Sequence, residues 1–385
     1  MTSPSKNTTL YSIQALRAIA AILVVLHHAL GIVSTYLERE GVYEYKLDSI
    51  LNNFGGCGVD IFFVISGFIM VYVSKNINQS PSAFKSFLAN RLIRIVPMYW
   101  LFTTCALTIL LIRAYLTTLD AAFLNSSTQF PSLWYVISSY LFIPEFREDG
   151  RLYPLITPGW TLHFEIYFYF LFSLSILFAQ RFRLFFILII FCATSTIGFF
   201  EFSSDNPLLI TYTNPIVFEF LLGMLIAHIY SSKYSISSSV SALFVIGGFT
   251  ALYIFSRLHY VNGHLSESRL LAYGIPSFFI VLGSISLEKN GSTLVPNWLV
   301  QLGNSSYSLY ITHTSFSFHI LIRLLFETPI RSALPTNLIA ITLTILSIII
   351  AHIIYVLIEK PTTARLKKHW SNRSKTSHSS HESKS

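Results

Sequence analysis

The chain has 385 residues, 53% hydrophobic and only 11% charged, with a formal net charge of +8 at pH 7. Soluble globular chains carry about 25% charged residues, so this composition excludes a large water-soluble core and indicates a polytopic membrane protein. The basic excess lies in short loops and at the C-terminal end, where topology accounts for it, and no nucleic-acid partner is expected.

Apolar runs of spanning length fall at 11–34, 55–74, 92–115, 159–179, 183–200, 212–230, 237–256, 268–287, 298–326 and 337–358, which predicts ten transmembrane helices. The first run is too long for a signal-peptide core, contains Arg17 and lacks a small-residue cleavage site, so it reads as a retained anchor. The stretch 132–143 (SLWYVISSYLFI) is too short to span and ends at Pro144, which predicts an interfacial or re-entrant helix. An N-in orientation puts most of the Lys and Arg, including Lys6, Lys75, Lys85, Arg91, Arg94 and the run from Lys360 onward, on the cytosolic side. The expected fold class is therefore all-α and polytopic, with ten transmembrane helices, one short interfacial or re-entrant helix, and both termini cytosolic. The expected divisions are a cytosolic N-terminal tail (1–10), a ten-helix membrane domain (11–360) and a basic, disordered cytosolic tail (361–385). Cys57, Cys105 and Cys192 are odd in number, lie in apolar segments and read as small hydrophobes. The sequence carries no P-loop or GxGxxG, and no metal site is expected.

Ionisable residues inside apolar segments mark sites, because each costs about 2.5 kcal/mol or more near the middle of a span. Arg17 and His28 are eleven residues apart, which on a helix brings them to within about 20° of one direction and roughly 16 Å apart along the axis. His27 points about 100° away, so spacing selects His28. An anion held at one side and proton chemistry nearer the other are implied. Asp60 (GGCGVDIFFVISGF) lies at about the depth of His28, where a carboxylate accepting from one ring nitrogen raises the basicity of the other. A structural contact between helices is the alternative role. Ser66 and Gly67 suit close helix approach. Arg91 and Arg94 (ANRLIRIVPMYW) are i, i+3 neighbours suited to bidentate phosphate binding, or simply mark the cytosolic end. Glu165 (PGWTLHFEIYFYF) lies about two turns inside its segment, and Glu219 repeats the pattern (NPIVFEFLLGMLIA). Ser306, Tyr310 and His313 fall on adjacent turns of one face (LGNSSYSLYITH), able to bind a carbohydrate or to join helices.

Five blocks in order, IQALRAIAAILVVLHHA, GVDIFFVISGF, RLIRIVPMYW, PGWTLHFEIYFY and SYSLYITH, resemble the acyltransferase type 3 family of multipass membrane proteins, in its exopolysaccharide and O-antigen O-acetylating branch. The resemblance implies transfer of an acyl group, usually acetyl from cytosolic acetyl-CoA, to a sugar hydroxyl at the outer face of the bacterial inner membrane. It maps the essential histidine of the first helix onto His28, the donor arginines onto Arg17, Arg91 and Arg94, and the family's aspartate and glutamate onto Asp60 and Glu165. The expected catalytic set is His28, Asp60 and Glu165, with Asp60 orienting the imidazole and Glu165 the acceptor; Trp160, Glu219, Tyr310 and His313 are expected to bind substrate. No permanently bound cofactor is implied, only acetyl-CoA as donor, with membrane lipid around and a polysaccharide or lipid-linked repeat unit as acceptor. Some relatives carry a periplasmic esterase-like domain. The C-terminal end here is too short for one, so either the chain acts alone or a separate periplasmic partner completes the transfer. A saccharide transporter or flippase, with Arg17, Asp60 and Glu165 lining a path, is the alternative from another class.

Overall fold

The structure, a computed structural model, describes residues 10–39, 54–119, 130–200, 205–258, 263, 265–326 and 336–382. The N-terminal tail read at 1–10 therefore lies, except for Leu10, outside the described residues. Among the described residues every regular element is helical. Each of the ten predicted segments falls on helix. Seven helices are long and apolar enough to cross a membrane, and Gly58–Ser74 is apolar but shorter. Contacts divide the chain into two units: Met1–Asn76, Asn214–Tyr307 and Leu334–Thr344 form one, and the remaining segments form the other.

In the first unit the principal helices are α1 (Tyr11–Arg39) and α2 (Gly58–Ser74). In our chain-order numbering they are joined there by α8 (Phe218–Ser231), α9 (Ser238–Arg257), α10 (Ile275–Lys289) and α11 (Asn297–Asn304). A π-helical turn, Leu270–Gly274, leads into α10. The core is built from Ile61, Val64 and Phe68 of α2, Ile226 of α8, Ile280 and Ile285 of α10, and Leu16 and Ala20 of α1. Glycines set the crossings. A Cβ on Gly67 would sit 2.0 Å from the Phe220 carbonyl oxygen, and one on Gly223 would sit 2.0 Å from that of Val64. The close approach expected of Gly67 is thus made between α2 and α8, with backbone against backbone. Gly58 meets Ala20 of α1 in the same way, and Gly303 meets Gln14.

The second unit contains α3 (Pro81–Leu119), α4 (Leu133–Tyr140), α5 (Trp160–Ser175), α6 (Arg183–Phe200) and α7 (Pro207–Tyr212). It is completed by most of α12 (Ser306–Thr312), by α13 (Phe318–Phe326) and by the C-terminal helix α15 (Lys360–Glu382). Helix α14 (Thr336–Ile354) precedes a π-helical turn at Tyr355–Glu359. Helix α4 is one short apolar helix, about 12 Å long at 1.5 Å per residue, so it cannot span. Tyr99 Oη donates to the Ser139 carbonyl (2.9 Å) and Trp100 Nε1 to that of Tyr140 (2.9 Å), which lashes α4 along α3. Its Leu133, Trp134 and Ile137 remain exposed, the surface expected of an interfacial helix.

Three boundaries differ from expectation. Helix α3 starts at Pro81, not near residue 92. Pro81 occupies the first turn, where its missing N–H costs nothing, and Ser80 Oγ accepts from Ala83 N (3.0 Å). Arg91 therefore lies well inside the helix rather than at its opening. The segment read as one helix at 298–326 is broken into α11, α12, a π-helical turn (His313–Ser317) and α13. Ser305 Oγ bonds back to the Gln301 and Leu302 carbonyls, which competes with helix continuation at the first break. The polar tail expected to be disordered from residue 361 instead continues as helix through Glu382. Composition there is unfavourable for a buried face, but a helix already nucleated by the apolar turns of α14 extends at low cost.

Candidate functional site

Arg17 and His28 lie on one unbroken helix, α1, as the eleven-residue spacing requires. Arg17 donates through Nε (3.2 Å) and Nη2 (2.9 Å) to Ser306 Oγ. His28 Nδ1 lies 2.9 Å from the Val24 carbonyl oxygen one turn earlier. A carbonyl only accepts, so Nδ1 carries the hydrogen and the lone pair is left on Nε2. That contact within the helix fixes the tautomer. The neighbouring His27 ring packs edge-on against His28 at 4.8 Å.

Asp60, expected to do that orienting, is engaged by another partner. Both its oxygens accept from Arg269, Oδ1 from Nε at 2.8 Å and Oδ2 from Nη2 at 2.6 Å, and Arg269 Nη2 also reaches the Gly56 carbonyl at 2.8 Å. Asp60 is fully buried and Arg269 is 4% exposed. Glu219 is fully buried beside this pair, its side chain lying against Gly274 where a Cβ would come within 2.9 Å of Oε1. Neither of its oxygens accepts a hydrogen bond. Arg269 hydrogen-bonds Asp60 alone of the two carboxyl groups, and the Glu219 expected to bind substrate lies within this buried cluster. Depth alone suggested His28 for Asp60; the glycine-packed crossing of α1 and α2 turns the carboxylate toward the start of the Leu270–Gly274 turn instead. Arg269 is the residue that sequence reasoning missed. Its signal was present: two intramembrane acids required a cation, and Arg269 sits at the start of an apolar run.

In the second unit the Arg91 guanidinium lies over the Phe87 ring, 5.2 Å from its centroid, and its Nε is buried without a hydrogen-bond partner. Arg94 is one turn further along the same helix. Glu165, half-buried on α5, lies in the electrostatic reach of Arg91 and accepts from Tyr169 Oη at 3.4 Å. Trp160 is buried at the start of α5, its ring edge-on to Phe164 at 6.1 Å. The face expected to carry Ser306, Tyr310 and His313 joins helices: Tyr310 Oη is 2.9 Å from Thr161 Oγ1, and His313 Nδ1 is 3.1 Å from the Leu309 carbonyl at the start of a π turn. Ser308, between them, donates to the buried Glu359 at 2.5 Å.

These groups, an arginine and an imidazole on one helix and an arginine pair with a carboxylate in the other unit, are the ones that the family resemblance singled out. The family model described as an acyltransferase domain matches residues 10–356. The chain belongs to the acyltransferase type 3 family. It is similar to the exopolysaccharide production protein ExoZ of Rhizobium meliloti (strain 1021), at 33% identity over 264 residues, which cover 68% of this chain and 76% of that relative. No solved structure matches it. Membership spans both units, so the first-unit histidine and the second-unit arginines belong to one acyltransferase domain, and its many apolar helices make that enzyme a multipass membrane protein.

Proposed function

We propose that this acyltransferase carries an acetyl group from cytosolic acetyl-CoA to a hydroxyl of an exopolysaccharide, or of its lipid-linked repeat unit, at the outer face of the bacterial inner membrane. The chain crosses that membrane ten times, with both ends in the cytosol. The observation that carries the reading is His28 on α1, eleven residues beyond Arg17, with Nδ1 tied to Val24 and the lone pair therefore on Nε2. That is the form of imidazole that accepts a proton. The acceptor oxygen attacks the thioester carbonyl while His28 Nε2 takes the hydroxyl proton. The tetrahedral intermediate then collapses, the C–S bond breaks, and the departing thiolate recovers the proton from the imidazolium. Carbon gains the sugar oxygen and loses sulfur, and the histidine ends as it began.

Arg17, Arg91 and Arg94 are assigned to the phosphates of the donor, for which planar guanidinium groups are suited. Glu165 orients the acceptor, with Trp160, Tyr310 and His313 as sugar-facing groups. The saccharide acceptor is supported by the similarity to the exopolysaccharide production protein. Asp60 is assigned to holding the helices that present α1, not to the reacting atoms.

The decisive experiment is NMR of surface polysaccharide from cells carrying no copy, the natural chain, or His28→Ala. O-acetyl signals are expected only with the natural chain, at equal membrane abundance of the variant; acetylation by His28→Ala would remove the central assignment. In purified protein, Arg91→Ala should raise the KM for acetyl-CoA, and an unchanged donor saturation curve would return Arg91 to a topological role.

A further inference from the structure

The structure offers the arginine pair a third cation that the sequence does not advertise. Helix α15 packs against α3 and brings Lys367 into the electrostatic reach of both Arg91 and Arg94. The carboxylate facing this group is Glu165, from α5, with Tyr169 beside it. Three positive charges thus lie near one another, and Glu165 reaches Arg91 among them. Like charges on packed helices repel, and an anion bound among them relieves that repulsion. Arg91 is prepared for such a ligand. Its guanidinium lies over the Phe87 ring, and its buried Nε has a hydrogen to donate with no acceptor taking it. Lys367 remains solvent-accessible, able to move its charge toward an incoming group.

We infer that Lys367 of the C-terminal helix completes a phosphate-binding site with Arg91 and Arg94. The inference rests on the donor assignment made above and extends it: the phosphates are those of the nucleotide half of acyl-CoA, and α15 is a working part of the donor site rather than a solvated tail. An anionic lipid headgroup offers the same chemistry, so the experiment separates the two sources.

The full chain is placed in nanodiscs of phosphatidylcholine and titrated with 3′,5′-ADP, with acetyl-CoA and with acetyl-pantetheine, which lacks phosphate, and in a second set doped with phosphatidylglycerol the retained lipid is counted by native mass spectrometry. Lys367→Ala is expected to weaken 3′,5′-ADP and acetyl-CoA by about tenfold and to leave acetyl-pantetheine unaffected. Lys367→Arg should recover most of the loss. Lys368→Ala, changing the adjacent lysine, should behave as the natural chain. A matching thermal unfolding midpoint shows that the variant is folded, and Lys367→Gln replaces it if the midpoint falls. Equal 3′,5′-ADP affinity in the natural chain and in Lys367→Ala removes the nucleotide as the ligand. If the variant then also retains phosphatidylglycerol as the natural chain does, the phosphate site itself is overturned. If the natural chain binds no acetyl-CoA but loses phosphatidylglycerol on Lys367→Ala, the phosphate site stands and the donor assignment fails.

Discussion

Arg269 grips Asp60 with two hydrogen bonds, at 2.8 and 2.6 Å, in a place where the carboxylate is wholly buried and the guanidinium nearly so. Each charge is tolerable there only because of the other. Asp60→Ala should leave the buried cation without its hydrogen-bonded partner, with only Glu219 nearby, and cost up to about 3–5 kcal/mol. The double replacement Asp60→Leu with Arg269→Met should cost much less than the sum of the two single changes. Unfolding midpoints of the four proteins in one detergent form the test, and additive losses would contradict the pairing.

Glu219 sits beside that pair, its carboxyl against that of Asp60. A carboxamide of the same shape can donate to Asp60 in its place, so removing the charge breaks little. Glu219→Gln should fold within about 1 kcal/mol of the natural chain, whereas Glu219→Lys sets a second cation against Arg269 and should abolish the monodisperse peak in size-exclusion chromatography. A collapse of both variants alike would mean that the Glu219 charge itself is required.

The ten apolar segments, the helical class and the eleven-residue face of α1 were legible because hydropathy and helical period are local quantities. Partner choice was not. The sequence pattern puts Asp60 at the depth of His28, yet Gly58, two residues before Asp60, lies against Ala20, and where α2 approaches its neighbours is decided by residues such as Gly223 on α8, far along the chain. Lys367 was hidden for a related reason: composition marks residues 361–385 as a solvated tail, and only the continuation of helix beyond Glu359 carries that lysine back to α3. The first break in 298–326 depends on the Ser305 side chain turning back to the backbone, a competition that an apolar pattern does not reveal.

The crossing of α2 and α8 leaves no room for a methyl group. A Cβ at residue 67 would lie 2.0 Å from the Phe220 carbonyl oxygen, so Gly67→Ala must push two backbones apart. Overpacking a close-packed interior costs about 1–3 kcal/mol when side chains can yield, and more when backbone is the obstacle. Gly150, with open space around its Cα, has no such contact. Gly67→Ala should sharply reduce the folded yield; recovery equal to the natural chain would show that the crossing can relax.

Outside the membrane, the turn after α4 is tied by Asp149, which accepts from the Arg147 guanidinium and from Arg151 N (3.1 Å). The hydrogen bond from Arg147 holds the Asp149 carboxyl below the usual carboxylate range, outweighing the small opposing effect of burial. A lowered folded pKa means that the opened turn takes up a proton more readily than the closed one. The closed turn is therefore fully favoured above the ordinary carboxylate value of about 4, and the advantage disappears as pH falls through the lowered one. Both side chains are partly exposed, so the effect is confined to the turn. Hydrogen exchange at residues 147–151, corrected for intrinsic rates, should show equal protection at pH 7 and 5 and a loss at pH 2.5. Protection that rises on acidification would reverse the assigned sign.

Glu288, at the far end of α10, caps α1 from a distance of 276 residues in sequence: its two oxygens accept from Tyr11 N and Ser12 N, each at 2.8 Å, and Ser12 Oγ also donates to it. A carboxylate there both satisfies amides that have no partner within the helix and opposes the positive end of the helix dipole. Glu288→Ala should cost about 1 kcal/mol and raise hydrogen exchange at residues 11–14. Glu288→Gln, which keeps one acceptor and loses the charge, should fall between. Because Gly303 locks against Gln14 further along the helix, the fraying should stop before Arg17, and transfer by Glu288→Ala should stay within a few-fold of the natural chain. A loss as complete as that of His28→Ala, with exchange at residues 11–14 unchanged, would show Glu288 acting by some route other than the cap.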